Sequence, residues 1–196
     1  MIRQIGLAAF GCFIAASLLV SLHGCGEDTH DHEPHPESPF EEIASAVAVI
    51  HPTEGNTASG VVKFMAIEGG VHVTAQVTGL MPNSMHGFHI HQYGDCSAAD
   101  GTSAGGHYDP EMTGRHGLPN SEEPIHAGDL GNLNADENGE ASYDAMITGI
   151  SIGGSANPIL GRVVIVHALP DDGGQPTGNA GARIGCGVIG VANPGN

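Results

Sequence analysis

Apolar and polar residues alternate in short runs through most of the chain after residue 42. The first three runs read IASAVAVIHP (43–52), GVVKFMAIEG (60–69) and VHVTAQVTGL (71–80). A period of two is typical of β-strands that have one face in a core. Comparable runs lie at 87–93 and at about 129–134, 140–148, 162–169 and 184–191. The pattern therefore predicts about eight strands and no amphipathic helix of useful length.

Turn-forming residues separate these runs. The chain contains 31 glycines and 12 prolines, and the segment ADENGEA places Asn138-Gly139 where a hairpin turn is expected. Short strands joined in this way pack most simply as antiparallel sheets. We predict an all-β fold, a sandwich or a flattened barrel, for residues 43–196.

One connection is too long for an ordinary turn. About 35 residues, from 94 to 128, are rich in Gly, Asp and Ser and show no strand pattern. Loops of this length in compact domains are generally functional or disordered. This loop is therefore the first candidate for chemistry.

The N-terminal residues have a different character. An apolar run, residues 5–22, follows Arg3 and ends at Leu22-His23-Gly24-Cys25. It is short for a membrane span and typical of a secretory signal. The last four residues resemble the lipobox of bacterial lipoproteins, although His23 stands where a small residue is usual. We expect removal of residues 1–24 and lipidation of Cys25, with an ordinary signal peptide or an uncleaved anchor as the alternative. Either reading implies export, to the periplasm or cell envelope.

Residues 25–42 form a predicted tether. From residue 26 they read GEDTHDHEPHPESPFEE, which is acidic and has almost no apolar side chain, so it cannot bury enough surface to order itself. Its histidines, His30, His32 and His35, could bind copper or zinc loosely. A solvated spacer that happens to contain histidines explains them equally well.

The net charge excludes one class of partner. Five Lys and Arg residues face 22 Asp and Glu residues, which gives a net charge of −17. Such a surface repels nucleic acid and anionic lipid headgroups. We expect no binding to nucleic acid.

Two of the four cysteines belong to the predicted mature domain. Cys12 lies within the signal and Cys25 at its end, so Cys96 and Cys186 remain. An exported chain meets oxidising conditions. A single disulfide between Cys96 and Cys186 is the simplest expectation.

Two sets of histidines have the composition of metal sites. The long loop holds His107, His116 and His126, with Asp129 three residues later, and three imidazoles with one carboxylate suit tetrahedral zinc. His89 and His91 lie two residues apart, so both would point to one face of a strand. His167, at the end of RVVIVHALP, is a candidate third ligand. Imidazole ligands with an open position suit copper redox chemistry.

Five stretches together resemble the copper,zinc superoxide dismutase family. They are HGFHIHQYGDC, SAGGHYDP, HAGDLGNL, GRVVIVH and TGNAGARIGCGVIG, in this order along residues 43–194. The resemblance implies an eight-stranded antiparallel Greek-key barrel with long metal-binding loops. It also implies that superoxide is the substrate, that dioxygen and hydrogen peroxide are the products, and that each subunit holds one copper and one zinc.

The resemblance also implies a role for each site residue. Copper would be held by His89, His91, His107 and His167, and zinc by His107, His116, His126 and Asp129. His107 would bridge the two metals and take up a proton for the peroxide. Asp171 would link a copper histidine to a zinc histidine, and Arg183 would orient the anion. The Cys96–Cys186 disulfide would hold the long loop near Arg183.

The chain departs from the common eukaryotic members in two places. The zinc-loop spacings of nine, ten and three residues are slightly longer, and the segment between His167 and Arg183 is short and has no Lys. We therefore expect only weak long-range attraction of superoxide. A relative without the activity, or a metal-sequestering lipoprotein, is the alternative. A homodimer is possible, since GVIGVA resembles the end of chains that dimerise there.

Overall fold

The computed structural model describes residues 43–154 and 156–193, and in them it confirms the predicted all-β fold. Eight strands follow one another along the chain. They are β1 (Ser45–Pro52), β2 (Ser59–Ile67), β3 (Gly70–Thr78), β4 (Met85–His91), β5 (Asp129–Asn134), β6 (Ala141–Thr148), β7 (Val163–His167) and β8 (Arg183–Val191). Within these residues, helical structure is limited to one 3-10 turn, Thr102–Ala104.

All strand pairs are antiparallel, in the order β5-β4-β7-β8-β1-β2-β3-β6. Neighbours such as β3 and β6, or β4 and β7, are distant in sequence, which is the crossing connectivity of a Greek key. The two edge strands meet where the Tyr143 hydroxyl on β6 donates a hydrogen bond to the Leu130 carbonyl on β5 (2.8 Å). The sheet is therefore a nearly closed barrel.

The barrel core comes from one face of each strand. On β3, for example, Val71, Val73 and Ala75 are buried, whereas the residues between them point outward. Strand β4 is an exception, because every residue after Met85 is buried. One of its faces contacts the core, and the other is covered by the long loop and by the segment after β7.

Strand β7, Val163–His167, is shorter than the apolar run at 162–169 that predicted it. Beyond His167 the strand ends, and the Leu169 backbone accepts a hydrogen bond from the Gly87 amide on β4 and donates one to the Ala180 carbonyl in the following loop. This places residues 168–182 against β4. Gly87 permits the approach, since a Cβ there would lie 2.7 Å from the Ala180 Cβ.

No helix in the described residues is long and apolar enough to cross a membrane. The predicted signal, the lipidation site Cys25 and the histidine-containing tether all lie within residues 1–42, outside the described residues.

Candidate metal centre

Strand β4 presents two of the candidate ligands on the face away from the core. Phe88 and Ile90 face inward, while His89 and His91 point outward, and all four are buried. Strand β7 lies beside β4 and ends at His167. Three imidazoles therefore meet on the surface of the barrel under the covering loops.

The long loop adds the fourth member of this cluster. His107 forms an isolated antiparallel bridge with His91, so the loop returns to the strand end that it left. One ligand atom from each of His89, His91, His107 and His167 lies within 4.8 Å of the others, and all four residues are buried. We call this set cluster A.

Backbone carbonyls determine which nitrogen two of these rings present. His91 donates from Nδ1 to the Gly105 carbonyl (3.0 Å), and His167 donates from Nδ1 to the Gly181 carbonyl (3.2 Å). Each neutral ring then has its lone pair on Nε2. The two Nε2 atoms lie 3.4 Å apart, so two lone pairs face one another.

His89 has the opposite arrangement. Its Nε2 lies 2.9 Å from Oδ2 of Asp171, and its buried Nδ1 has no hydrogen-bond partner among the described residues. A buried polar atom without a partner is costly. A cation between these three nitrogens would satisfy all of them, so cluster A fits a metal ion.

A second cluster surrounds the carboxylate of Asp129, at the start of β5. Its Oδ1 lies 2.8 Å from His107 Nδ1, 3.0 Å from His116 Nδ1 and 3.3 Å from His126 Nδ1. The His116 Nδ1 is buried, and its geometry gives it no hydrogen bond despite this short distance. Three imidazole nitrogens and a carboxylate oxygen match the donor set of a closed zinc site. We call this set cluster B; His107 belongs to both clusters.

Asp171 joins the two clusters through its two carboxylate oxygens. Oδ1 lies 2.9 Å from His116 Nε2, and Oδ2 lies 2.9 Å from His89 Nε2. Each ring therefore directs its Nδ1 toward its own cluster. Such a partner holds the tautomer and orientation of a ligating imidazole.

Two side-chain amides hold this arrangement from outside. Asn132 pairs with the backbone of Asp171, donating to its carbonyl (2.9 Å) and accepting from its amide (2.7 Å). Gln175 pairs in the same way with the backbone of His116 (2.7 and 3.0 Å). The sequence analysis missed both. Asn132 falls within the HAGDLGNL stretch, whereas no motif points to Gln175.

Burial and neighbouring charges set the protonation states. Burial lowers the pKa of His107 to about 4 and that of His167 to about 3, and burial together with His107 lowers the pKa of His91. These rings are neutral at pH 7, as metal binding requires. Burial would also lower the pKa of His116, but the adjacent carboxylates of Asp129 and Asp171 outweigh it and raise the value to about 9.

The two carboxylates remain ionised. Burial alone would raise the pKa of Asp129 and of Asp171, yet hydrogen bonds from their histidines hold both well below the usual range. Asp129 therefore offers cluster B a buried, ionised carboxylate oxygen, which is one of the ligands that zinc takes in proteins.

Arg183, the first residue of β8, lies close enough to cluster A for its charge to act on His91 and His167. Its guanidinium donates to the carbonyls of Gly101 (2.6 Å) and Gly105 (2.5 Å). Gly105 also accepts from His91, so one carbonyl positions both the arginine and a candidate ligand. The expected disulfide between Cys96 and Cys186 is present, with a Cα–Cα distance of 5.9 Å, and it ties the loop to the strand of Arg183.

The structure brings every predicted site residue of the described part into this centre. His86 is also buried but faces away from both clusters, since it contacts the His167 carbonyl and the Ser84 hydroxyl. The sequence could name the residues, but it gave no indication of which nitrogen each ring presents. That choice depends on carbonyls and carboxylates that are distant in sequence.

Comparisons with known proteins identify the family that the chain belongs to. The family model for copper/zinc superoxide dismutase matches residues 58–189. The chain is 46% identical to a Cu-Zn superoxide dismutase of Paramecium bursaria Chlorella virus 1, over 76% of this chain and 79% of the relative. It is 45% identical to Cu-Zn superoxide dismutase 3 of Arabidopsis thaliana, over 74% and 90%. The crystal structure of the clock protein EA4 superposes with a TM-score of 0.70 at 38% identity, covering 81% of this chain and 99% of that one.

Proposed function

This chain belongs to the copper/zinc superoxide dismutase family and catalyses the dismutation of superoxide, and we propose that clusters A and B are the site of that reaction. Two superoxide anions and two protons give one dioxygen and one hydrogen peroxide. Copper and zinc are the cofactors, and the buried histidines are compatible with both.

In this proposal cluster A holds copper and cluster B holds zinc. Bound copper would supply a one-electron couple, Cu(II)/Cu(I), that takes an electron from one superoxide and gives it to the next. The closed set of cluster B suits zinc, which has no redox chemistry in proteins. The observation that carries the proposal is the convergence of three lone pairs, on His89 Nδ1, His91 Nε2 and His167 Nε2, with no proton between them.

Arg183 binds and orients the substrate anion in this scheme. Two of its donors are used by the carbonyls of Gly101 and Gly105, which hold the guanidinium rigidly beside cluster A. A fixed positive charge stabilises negative charge without reorganisation during the reaction. Replacing Arg183 by Ala should lower kcat/KM by about a hundredfold, by analogy with loss of one oxyanion-stabilising donor. Metal content should not change.

His107 is the group that we assign to proton transfer. It alone belongs to both clusters, and burial lowers its pKa to about 4. A protonated His107 would therefore release its proton readily to a developing peroxide anion. Asp129 lies 2.8 Å from its Nδ1 and holds the ring in place for that transfer.

Pulse radiolysis tests the proposal directly. The fully metallated chain should remove superoxide far faster than the solution background, and His91→Ala should lose most of that activity, because the variant lacks one cluster A ligand. A wild-type chain with full copper and zinc content but only background decay would identify a relative without the activity. Loss of metal on mutation is measured in the same samples.

We propose further that the enzyme acts outside the cytoplasm, held at the cell envelope by a lipid on Cys25. The support comes from the sequence alone. The apolar run at 5–22 ends at Leu22-His23-Gly24-Cys25, and the two cysteines of the remaining chain can form one disulfide, as is typical of exported proteins. Cells fed radiolabelled fatty acid should incorporate label into the wild type but not into Cys25→Ala. Equal labelling of the two would refute the anchor.

We also propose a homodimer through the outer face of β1 and β8. Ala48 pairs with Ile189 and His51 with Cys186, so Val49 lies opposite Val188. Both are about half exposed, and they border a cleft of about 650 Å³. Burying such a patch is the usual reason for self-association. Light scattering should give twice the monomer mass for the wild type and for the control Thr74→Glu. It should give the monomer mass for Val188→Glu.

A further inference from the structure

The outer face of β2, β3 and β6 carries a row of three side chains that the dismutase reaction does not use. Met65 on β2 is directly opposite His72 on β3, and His72 is directly opposite Met146 on β6. Residues opposite one another in antiparallel strands have Cβ atoms about 4.5–5.5 Å apart and share a face. One imidazole is therefore flanked on both sides by a thioether.

Burial shows that this row faces solvent. Met65 is 57% exposed and Met146 68% exposed, while their neighbours Phe64 and Val73 are buried in the core. The sequence analysis had interpreted His72 as a plain solvent-facing strand residue. Its position between two methionines becomes visible only once the register of β2, β3 and β6 is known.

A carboxylate sets the tautomer of His72. Its Nε2 lies 2.8 Å from Oδ1 of Asp144, which accepts the hydrogen bond. The lone pair of the neutral ring is then on Nδ1. Asp171 relates to His89 in the same way at the dismutase site, and such partners raise the basicity of a ligating imidazole.

The surrounding residues make the two methionines conspicuous. Several outward positions nearby are polar, among them Lys63, Thr74, Gln76 and Ser142, although Ile67 also lies on this face beside Met65. Two of the five methionines after residue 42 are opposite the same histidine. Both side chains are more than half exposed, so packing in the core does not account for their placement.

We propose that Met65, His72 and Met146 form a separate binding site for Cu(I), with Asp144 orienting the imidazole. Thioether sulfur is a soft ligand that selects Cu(I) over Zn(II) and other harder divalent ions, and imidazole completes a three-coordinate set. The site shares no residue with clusters A and B. It would hold a copper ion in addition to the one used in catalysis.

The first test observes the methionine methyl groups. The full chain, labelled with [methyl-13C]methionine, is loaded with copper and zinc, reduced with ascorbate without oxygen, and titrated with Cu(I). Cluster B is filled first because Met146 borders a cleft that reaches His126 and Asp129, so added Cu(I) that bound at an empty cluster B could also shift the Met146 signal. The first added equivalent should shift the methyl signals of Met65 and Met146 but not those of Met81, Met85 and Met112. No shift at Met65 and Met146, or a larger shift at the other three, would overturn the proposal, as would the same shifts on addition of Zn(II).

The second test measures affinity against a chromophoric Cu(I) chelator. It is made in a background in which His30, His32 and His35 are Asn, so that the tether cannot compete. Met65→Leu, Met146→Leu and Asp144→Asn should each weaken the additional Cu(I) equivalent by roughly tenfold or more, since even partners of ligands contribute about 10–100-fold. Met112→Leu, at an 87% exposed methionine outside the row, is the matched control. Equal affinity in all variants would refute the site.

Superoxide decay separates this inference from the proposed function. None of the substituted side chains belongs to cluster A or B, so each variant should keep the wild-type dismutase rate. Loss of the extra Cu(I) equivalent with an intact rate supports the new site. A wild type with no dismutase activity would leave the methyl-shift result unaffected.

Discussion

Substitution of Gly178 tests whether Asp171 holds the two clusters in place. Gly178 has a positive φ of 74°, and a Cβ there would lie 2.1 Å from Asp171 Oδ1 and 2.6 Å from His116 Nε2. These atoms form one of the two hydrogen bonds that link the clusters. Gly178→Ala must therefore displace the carboxylate, the imidazole or the loop itself.

Gly173 provides a control with the same backbone strain. It lies in the same loop with the same φ of 74°, but its Cβ would meet only Leu118, at 3.6 Å. Both alanine variants should lose about 1–2 kcal/mol of stability from the left-handed conformation. Only Gly178→Ala should also place a side-chain carbon against Asp171, the partner of His116 and His89.

The expected additional effect is a loss of zinc affinity of about 10–100-fold, the usual cost of removing the partner of a ligating histidine. That factor corresponds to about 1.4–2.8 kcal/mol. Competition with a zinc-binding dye measures it, and urea unfolding of the metal-free chains measures the shared strain. Equal zinc affinity in Gly178→Ala and Gly173→Ala would refute the role assigned to Asp171.

Three further predictions follow from the same structure. Replacing Cys96 and Cys186 together by Ser removes a cross-link across 90 residues, so urea unfolding of the metal-free chain should show a loss of about 4 kcal/mol; an unchanged midpoint would contradict this. Urea unfolding of the metal-free wild-type chain at several pH values should show a maximum in its free energy of unfolding near pH 6.5. Below pH 6.5, His107 and His167 are protonated in the unfolded chain but not in the folded one, where their pKa values are about 4 and about 3, so stability falls. Above pH 6.5, His116 keeps its proton only in the folded chain, where its pKa is about 9, so stability falls as the pH approaches 9. A stability that stays constant down to about pH 5 would exclude this account. With a net charge of −17, kcat/KM should change little or rise as salt is added, whereas a steep fall would indicate strong attraction of superoxide.

The strands could be predicted closely because their signal is local. A strand with one buried face alternates apolar and polar residues whatever it pairs with, and all eight runs became strands. The end of β7 was less predictable. Ala168 and Leu169 continue the apolar run, but their amides donate to the Ala182 and Ala180 carbonyls of the following loop rather than to a neighbouring strand.

The candidate ligands could be named from sequence because the required residue types are few and their spacings are distinctive. His89 and His91 share a face by strand geometry alone. Their chemistry was not accessible in this way. The tautomer of His91 depends on the Gly105 carbonyl, and that of His89 on Asp171, 82 residues away.

The amino-acid sequence by itself therefore determined the class of fold, the candidate metal-binding side chains and the partners in the disulfide. Only the tertiary structure decided which nitrogens converge, why Gly178 must lack a side chain, and that Met65, His72 and Met146 form one row. The physical reason is that alternation and residue type are properties of short segments. Register, hydrogen-bond partners and close contacts arise between segments that meet only when the barrel closes.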